Sequence, residues 1–241
     1  MWWFAATHAN LLLLYRMMSG PTAADDAPLF DAGCGTGGLL LRLAADYPDR
    51  TVIGLDADAT ACVRAAAKSA RPVCAGSVNA LPFADGAFGA IFSADVLCHR
   101  DVDELAALAQ FRRCLSDGGV LVLNLPAYKW MLSRHDVAVC NVRRYTRRRV
   151  VQLLREAGFR LRFASYWNIV LFPIMVLTRK LLPQGKVAVS DVRLYPAPVD
   201  ALCRAATGIE RALLRCGMRF PFGGSLIAVA AKETAQGGGH A

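Results

Sequence analysis

Leu29-Phe30-Asp31-Ala32-Gly33-Cys34-Gly35-Thr36-Gly37-Gly38 decides how the rest of this chain is read. An apolar strand over residues 28–32 runs into a glycine-rich turn. A helical pattern with Leu39, Leu40 and Leu43 follows at once. Strand, glycine turn and helix form the geometry in which a backbone can approach a nucleotide-like ligand. Gly33, Gly35 and Gly37 carry no Cβ to block that approach and reach positive φ without strain. The helix N-terminus behind them offers unpaired N–H groups and a partial positive charge.

The next unit outward strengthens this reading. Residues 51–56 form a second strand that ends on Asp56, 19 residues after Gly37. A carboxylate at that strand tip is placed to accept the hydrogen bonds of a ribose diol. Asp58 is a good N-cap for an alanine-rich helix to about Ser69, and a third strand is expected over 71–75. Residues 76–83, Gly-Ser-Val-Asn-Ala-Leu-Pro-Phe, follow it. A fourth strand at 90–93 ends near Asp95-Val96-Leu97-Cys98-His99. Asp101 with Glu104 reads as a capping box for a helix to about Leu115, stopped by Gly118-Gly119. The run 120–125 suits a strand buried on both faces.

The glycines are spaced G-x-G-x-G, with Asp31 two residues before the first, and not G-x-G-x-x-G as in the dinucleotide fingerprint. That order, with the Leu81-Pro82-Phe83 segment and the Gly118-Gly119 strand, resembles class I S-adenosylmethionine-dependent methyltransferases over residues 28–125. The resemblance implies an α/β fold: a seven-stranded, mostly parallel Rossmann-like sheet with helices on both faces and an antiparallel last strand. It implies S-adenosylmethionine as cofactor. Asp31, Gly33, Cys34, Gly35 and Gly37 would cradle its methionine part, and Asp56 with Ala57 its ribose. Ser77, Val78 and Leu81 would border the adenine, and Ser93, at the end of the fourth strand, would also bind the cofactor. Ser77 stands where the family commonly has Asp. Two other classes stay open: an NAD-dependent dehydrogenase on a similar fold, and a non-enzymatic membrane-surface protein.

The chain of 241 residues is long enough for one large α/β domain. Its mean hydropathy is high, +0.33, yet no apolar run reaches the roughly 18–20 residues of a membrane span. The N-terminus lacks the basic start of a signal peptide. A cytoplasmic location is expected, with peripheral contact at the inner face of the membrane as an alternative. None of the eight cysteines forms a C-x-x-C pair, so zinc is not expected and the thiols read as small hydrophobes. Residues 126–180 hold twelve Lys/Arg and two acids, while the whole chain is only +9. A charge block so localised points to an anionic partner. No nucleic-acid module accompanies it.

Organisation follows from these elements. Residues 1–27 are expected to form an N-terminal helix or lid. Residues 28–165 and 225–233 form the cofactor domain, with a substrate-loop insertion at 126–146. A helical insertion at 166–224 precedes the last strand, a kinked helix pair broken by Pro173 among its parts. A later helix there carries Leu202, Ala206, Ile209 and Leu213 on one face, and Gly237-Gly238-Gly239 reads as a tail. Within 126–146, aromatic and cationic residues alternate. Tyr128, Trp130, Arg143, Arg144 and Tyr145 are the substrate-binding candidates. His99, His135 (with Asp136 beside it as an orienting acid) and Tyr145 are the acid/base candidates. The expected reaction is methyl transfer to a small acceptor, anionic and partly apolar, such as a lipid-, polyprenyl- or sugar-linked molecule.

Overall fold

The structure is a computed structural model and describes residues 1–19, 26–180 and 196–232. Seven strands form one sheet in the order β3-β2-β1-β4-β5-β7-β6. They are β1 (Leu29–Ala32), β2 (Val52–Asp56), β3 (Val73–Ala75), β4 (Phe88–Ala94), β5 (Leu115–Pro126), β6 (Phe159–Trp167) and β7 (Ser225–Lys232). The first five run parallel, and β7 lies antiparallel between β5 and β6. This is the expected Rossmann-like sheet. The order reverses between β1 and β4, so a crevice opens at their carboxyl ends. The central strands are buried on both faces, which is why their sequences are apolar without alternation.

Helices α2 (Gly38–Asp46), α3 (Ala59–Ser69), α4 (Glu104–Cys114), α5 (Arg134–Ala138) and α6 (Arg147–Glu156) follow the strands. Asp58 caps α3 by accepting the Thr60 N–H, and Thr146 caps α6 by accepting that of Arg149. The α4 cap differs from expectation. Asp103, not Asp101, accepts the Leu105 and Ala106 N–H groups. Asn79 explains the shift: its amide donates to the Asp101 carbonyl and accepts from the Asp103 N–H, so residues 101–103 stay outside the helix. After α4, β5 begins at once at Leu115 and runs through Gly118-Gly119 instead of starting beyond them.

The first helix, α1 (Trp2–Met18), buries Ala6, Leu11, Leu14 and Tyr15, the last edge-on to Phe92 of β4. Residues 168–180 and 196–224 are the described part of the expected helical insertion. Trp167 is the last residue of β6, not a helix start, and α7 (Phe172–Lys180) places Pro173 in its first turn. There proline costs no helical hydrogen bond and makes no kink. A second half of that helix pair would fall beyond Lys180, outside the described residues, as does the Gly237-Gly238-Gly239 tail. The last helix, α8 (Ala197–Arg215), packs against α1, and its Asp200 carboxylate accepts the Trp2 N–H at 2.8 Å. Among the described residues no helix is long and apolar enough to cross a membrane.

Candidate active site at the carboxyl edge of the sheet

Gly33, Gly35 and Gly37 have φ of +80°, +52° and +78°. A Cβ on Gly33 would lie 2.2 Å from Val96 Cγ2, and one on Gly37 2.8 Å from Ala65 Cα. The turn thus packs hard against the loop after β4 and against α3. Gly35 instead meets nothing within 4 Å, so a ligand can reach its backbone. Asp56 accepts the Gly35 N–H at 2.7 Å and the Asp58 N–H at 3.0 Å, one on each oxygen. Each oxygen keeps a lone pair for a further donor.

Asp31 is fully buried and its Oδ2 has no partner. Burial first, then the charge of Asp56, pushes its carboxyl up to about 7. An orphaned buried carboxylate is costly unless a cationic donor meets it. An unmet carboxylate, an open glycine backbone and a strand-end acid with spare lone pairs together fit a nucleoside that carries an ammonium-bearing tail. Val78 and Leu81 are buried beside this edge, and Ala57 and Ser77 are exposed. The Ser77 hydroxyl accepts the Asn79 N–H. Ser93 is buried in β4 with its hydroxyl unpartnered. Burial pushes the Cys34 thiol up to about 12, which makes it a packing residue and not a nucleophile.

The second half of the site departs from the sequence expectation. Arg144 is turned inward: its side chain is 4% exposed and pairs with the fully buried Asp136 at 2.9 Å. It also donates to the Ala127 carbonyl. Asp136 spends its oxygens on Arg144 and on the Ser133 backbone and hydroxyl, closing a capping box on α5, so it is not an orienting acid for His135. Arg143 donates to the Leu97 and His99 carbonyls. Tyr145 is buried, and its hydroxyl donates to the Leu97 carbonyl at 2.8 Å. Burial and neighbouring Glu104 hold that phenol far above its ordinary value, so it stays protonated and is not a base. Arg143 and Tyr145 therefore clamp the 126–146 insertion onto the loop after β4, and Arg144 ties the insertion to itself. They do not form a ligand-binding set. His135, on the short α5, is partly exposed.

His99 lies at the join between the halves. Its imidazole is kept neutral mainly by burial, with Asp56 close enough to oppose that effect. Tyr128 stacks on Tyr166 with centroids 5.1 Å apart and on Trp130 at 5.6 Å, and Phe172 and Phe222 extend the cluster. Trp130 and Phe222 keep much of their surface exposed.

Asp95, which the sequence places at the end of the fourth strand, is held by residues that carried no distinguishing sequence signal. Asp95 follows β4 in left-handed backbone, φ +57°, an outlier of the kind that clusters at functional sites. Both its oxygens accept from the Asn124 amide at 3.1 Å, and the Asn124 carbonyl oxygen accepts from Trp167 Nε1 at 2.8 Å. Trp167 stacks with Trp3 of α1 at 6.3 Å. Burial pushes the Asp95 carboxyl up to about 7, against the lowering effect of Asn124. The His8 ring lies 3.0 Å from where a Gly38 Cβ would be, so α1 covers the glycine turn. Burial lowers His8 to about 4, leaving it neutral. Asn10, two residues on, is buried with both amide atoms unpartnered. An asparagine in a strand or a helix is too common to single out without these contacts.

A cavity of about 520 Å³ sits at the opposite edge of the sheet, lined by Asp85, Arg112, Arg113 and Lys232 among others. Its charges pair with each other or with backbone, Arg113 with Asp85 and Arg112 with the Gly158 carbonyl. It lies away from the strand ends where such sheets bind ligands.

Strand order and glycine turn together define a Rossmann-like α/β fold. Residues 30–123 match the family model described as a methyltransferase domain. The chain is similar to solved structures across nearly its whole length. One is geranyl diphosphate C-methyltransferase from Streptomyces coelicolor A3(2), solved with Mg2+, geranyl diphosphate and S-adenosyl-L-homocysteine: TM-score 0.60, 16% identity, 95% of this chain and 77% of that one. Another is a TehB-like SAM-dependent methyltransferase from Corynebacterium glutamicum: TM-score 0.55, 17% identity, 93% and 88% covered. The [4+2]-cyclase SpnF also matches, with TM-score 0.59, 20% identity, 96% and 82% covered. The comparison with curated proteins found no match. The chain thus has the class I methyltransferase fold, and its residues 30–123 are similar to that family's domain. The cyclase shows that this fold alone does not set the reaction.

Proposed function

We propose that the chain transfers the methyl group of S-adenosylmethionine to a small acceptor with a flat or apolar part. The cofactor is S-adenosylmethionine, whose sulfonium supplies an already activated methyl group. The observation that carries the reading is the buried Asp31 carboxylate, whose Oδ2 has no partner, behind an open glycine turn. In this reading Asp31 provides the counter-charge for the cofactor's ammonium group. Asp56 accepts the ribose hydroxyls, and Val78 and Leu81 give the adenine an apolar wall. α1, through His8 and Trp3, excludes water from the reacting centre. Asp95 and neutral His99 stand at the end of β4, within the crevice where an acceptor must lie in line with the methyl group. The Tyr128, Trp130, Phe172 and Phe222 cluster supports an acceptor with an aromatic or isoprenoid-like portion. Arg143 and Arg144 lend no support to an anionic acceptor, because their donors are used within the chain.

Calorimetry tests the cofactor half: S-adenosylmethionine binds and NAD does not, and the reverse would make the chain a dehydrogenase. Incubation with methyl-labelled cofactor and a fractionated cell extract tests transfer. Label appears on a small molecule, and its absence from every fraction would sink the proposal.

A further inference from the structure

Asn124 grips Asp95 at both ends. Its backbone carbonyl accepts the Asp95 N–H at 2.8 Å, and its side-chain amide donates to both carboxylate oxygens at 3.1 Å. Both contacts come from one residue on the neighbouring strand, and together they hold Asp95 in its left-handed turn, φ +57°. Trp167 settles which way the Asn124 amide points. Its Nε1–H needs an acceptor, so the Asn124 oxygen turns to it at 2.8 Å and the NH2 turns to Asp95. Asn124 and Trp167 are fully buried, and Trp3 of α1 stacks on Trp167. Asp95 itself is only half-buried.

The residue so held stands between the two halves of the site. Val96, next in the chain, is the side chain that a Cβ on Gly33 would strike, so Asp95 adjoins the glycine turn. Asn124 lies two residues before Pro126, where the chain leaves β5 toward Tyr128 and its aromatic cluster. The charged neighbours of the carboxyl come from the insertion: Arg144 lowers its proton affinity and Asp136 raises it. The Cys98 thiol, held neutral by burial, donates to the Asp95 carbonyl at 3.0 Å, and the His99 ring donates to the same carbonyl. Burial outweighs the charges and brings the carboxyl up to about 7, where a group both takes up and releases a proton near neutral pH.

We propose that Asp95 takes the proton of the methyl acceptor, and that Asn124, oriented by Trp167, is the positioning residue that aims its carboxylate. The proposal rests on the methyl-transfer reading. The acceptor's oxygen or nitrogen bonds to the methyl carbon as the methyl–sulfur bond breaks, with that bond's electron pair staying on sulfur. The acceptor's proton passes to the Asp95 carboxylate and from there to water. Carbon-13 NMR of the full chain with labelled aspartate, without cofactor, reads Asp95 directly. Its carboxyl signal, identified by its absence from Asp95→Asn, should titrate with a midpoint of about 7. Asn124→Leu should move that midpoint up by about one unit, because a hydrogen bond to the charged form is gone. Trp167→Phe, which keeps a ring against Trp3 and removes only the Nε1 donor, should move it the same way by less. A midpoint near the ordinary 3.8, or one that the folded variants leave in place, overturns the proposal. The second readout is label transfer, at saturating S-adenosylmethionine, to the extract fraction that the wild-type chain labels. Asp95→Asn should slow it by about a hundred- to ten-thousand-fold, with cofactor affinity by calorimetry near wild type. The acidic limb of the wild-type rate should follow the NMR midpoint and move with it in Asn124→Leu. A limb below the 6.5 of an ordinary histidine, removed by His99→Gln, overturns the proposal in favour of His99. A wild-type chain that labels no fraction brings down the methyl-transfer reading itself, whereas undiminished labelling by Asp95→Asn brings down this assignment alone.

Discussion

The donor half, residues 28–125, and the acceptor half, residues 126–224, use charge in opposite ways. In the donor half the charges that matter are unmet: Asp31 has an oxygen without a partner, and Asp56 keeps lone pairs toward an open glycine. In the acceptor half the charges that looked free are spent. Arg144 is locked to Asp136, Arg143 to two carbonyls, and Glu210 to two backbone amides. Unmet buried charge marks a place for a ligand. Met buried charge fixes the shape of an insertion that short-range propensity alone would not hold.

The sharpest way to break this contrast is Asp136→Ala. It leaves the buried Arg144 guanidinium without a counter-charge and should cost about 3–5 kcal/mol of stability, read by urea unfolding. Cofactor affinity below the transition should barely move, and a large loss of it would mean that the clamp belongs to the donor site. Asp56→Ala should do the reverse. S-adenosylmethionine affinity falls roughly 10–100-fold by calorimetry, the worth of charge-assisted hydrogen bonds, with little change in unfolding.

A pH titration sharpens the comparison further. Asp31 holds a proton below about 7 in the folded chain, against 3.8 for the ordinary group. Binding a cationic cofactor must expel that proton, so affinity should fall by up to about tenfold per unit as pH drops below 7. Stability runs the other way for this group. The folded carboxyl binds its proton more tightly than the unfolded one, so its contribution is favourable at low pH and is lost as pH rises from about 4 through 7. A flat affinity profile from pH 5 to 8 would remove Asp31 from the cofactor site. The smallest effect is expected from Tyr145→Phe. Loss of the bond to the Leu97 carbonyl should cost about 1 kcal/mol and leave the pH dependence of methyl transfer unshifted. A lost basic limb would reinstate the phenol as a base.

The donor half was legible because its signals are local. Glycine spacing, a strand-end acid and Asp58 as a cap each act within a few residues, and the backbone has few ways to satisfy them. The acceptor half was misread where a side chain's partner lies far along the chain or on a neighbouring element. The segment Ser133-Arg134-His135-Asp136 suggests a base and its orienting acid. What Asp136 meets instead is Arg144, eight residues on, together with the start of its own helix. Likewise Asp101 is spaced correctly for a cap but loses to Asp103, because Asn79 reaches in from another loop.

The sequence by itself determined the sheet and its glycine turn, since strands buried on both faces must be apolar throughout and only glycine tolerates that turn's φ and close contacts. It also determined that α8 carries an apolar stripe. Which face of α8 turns inward was decided only by tertiary structure. Helical periodicity records that two faces differ, not which one a distant pair of backbone amides will claim. Here the amides of Asn168 and Val170 claim Glu210, and Leu202 and Ile209 of the stripe are left exposed.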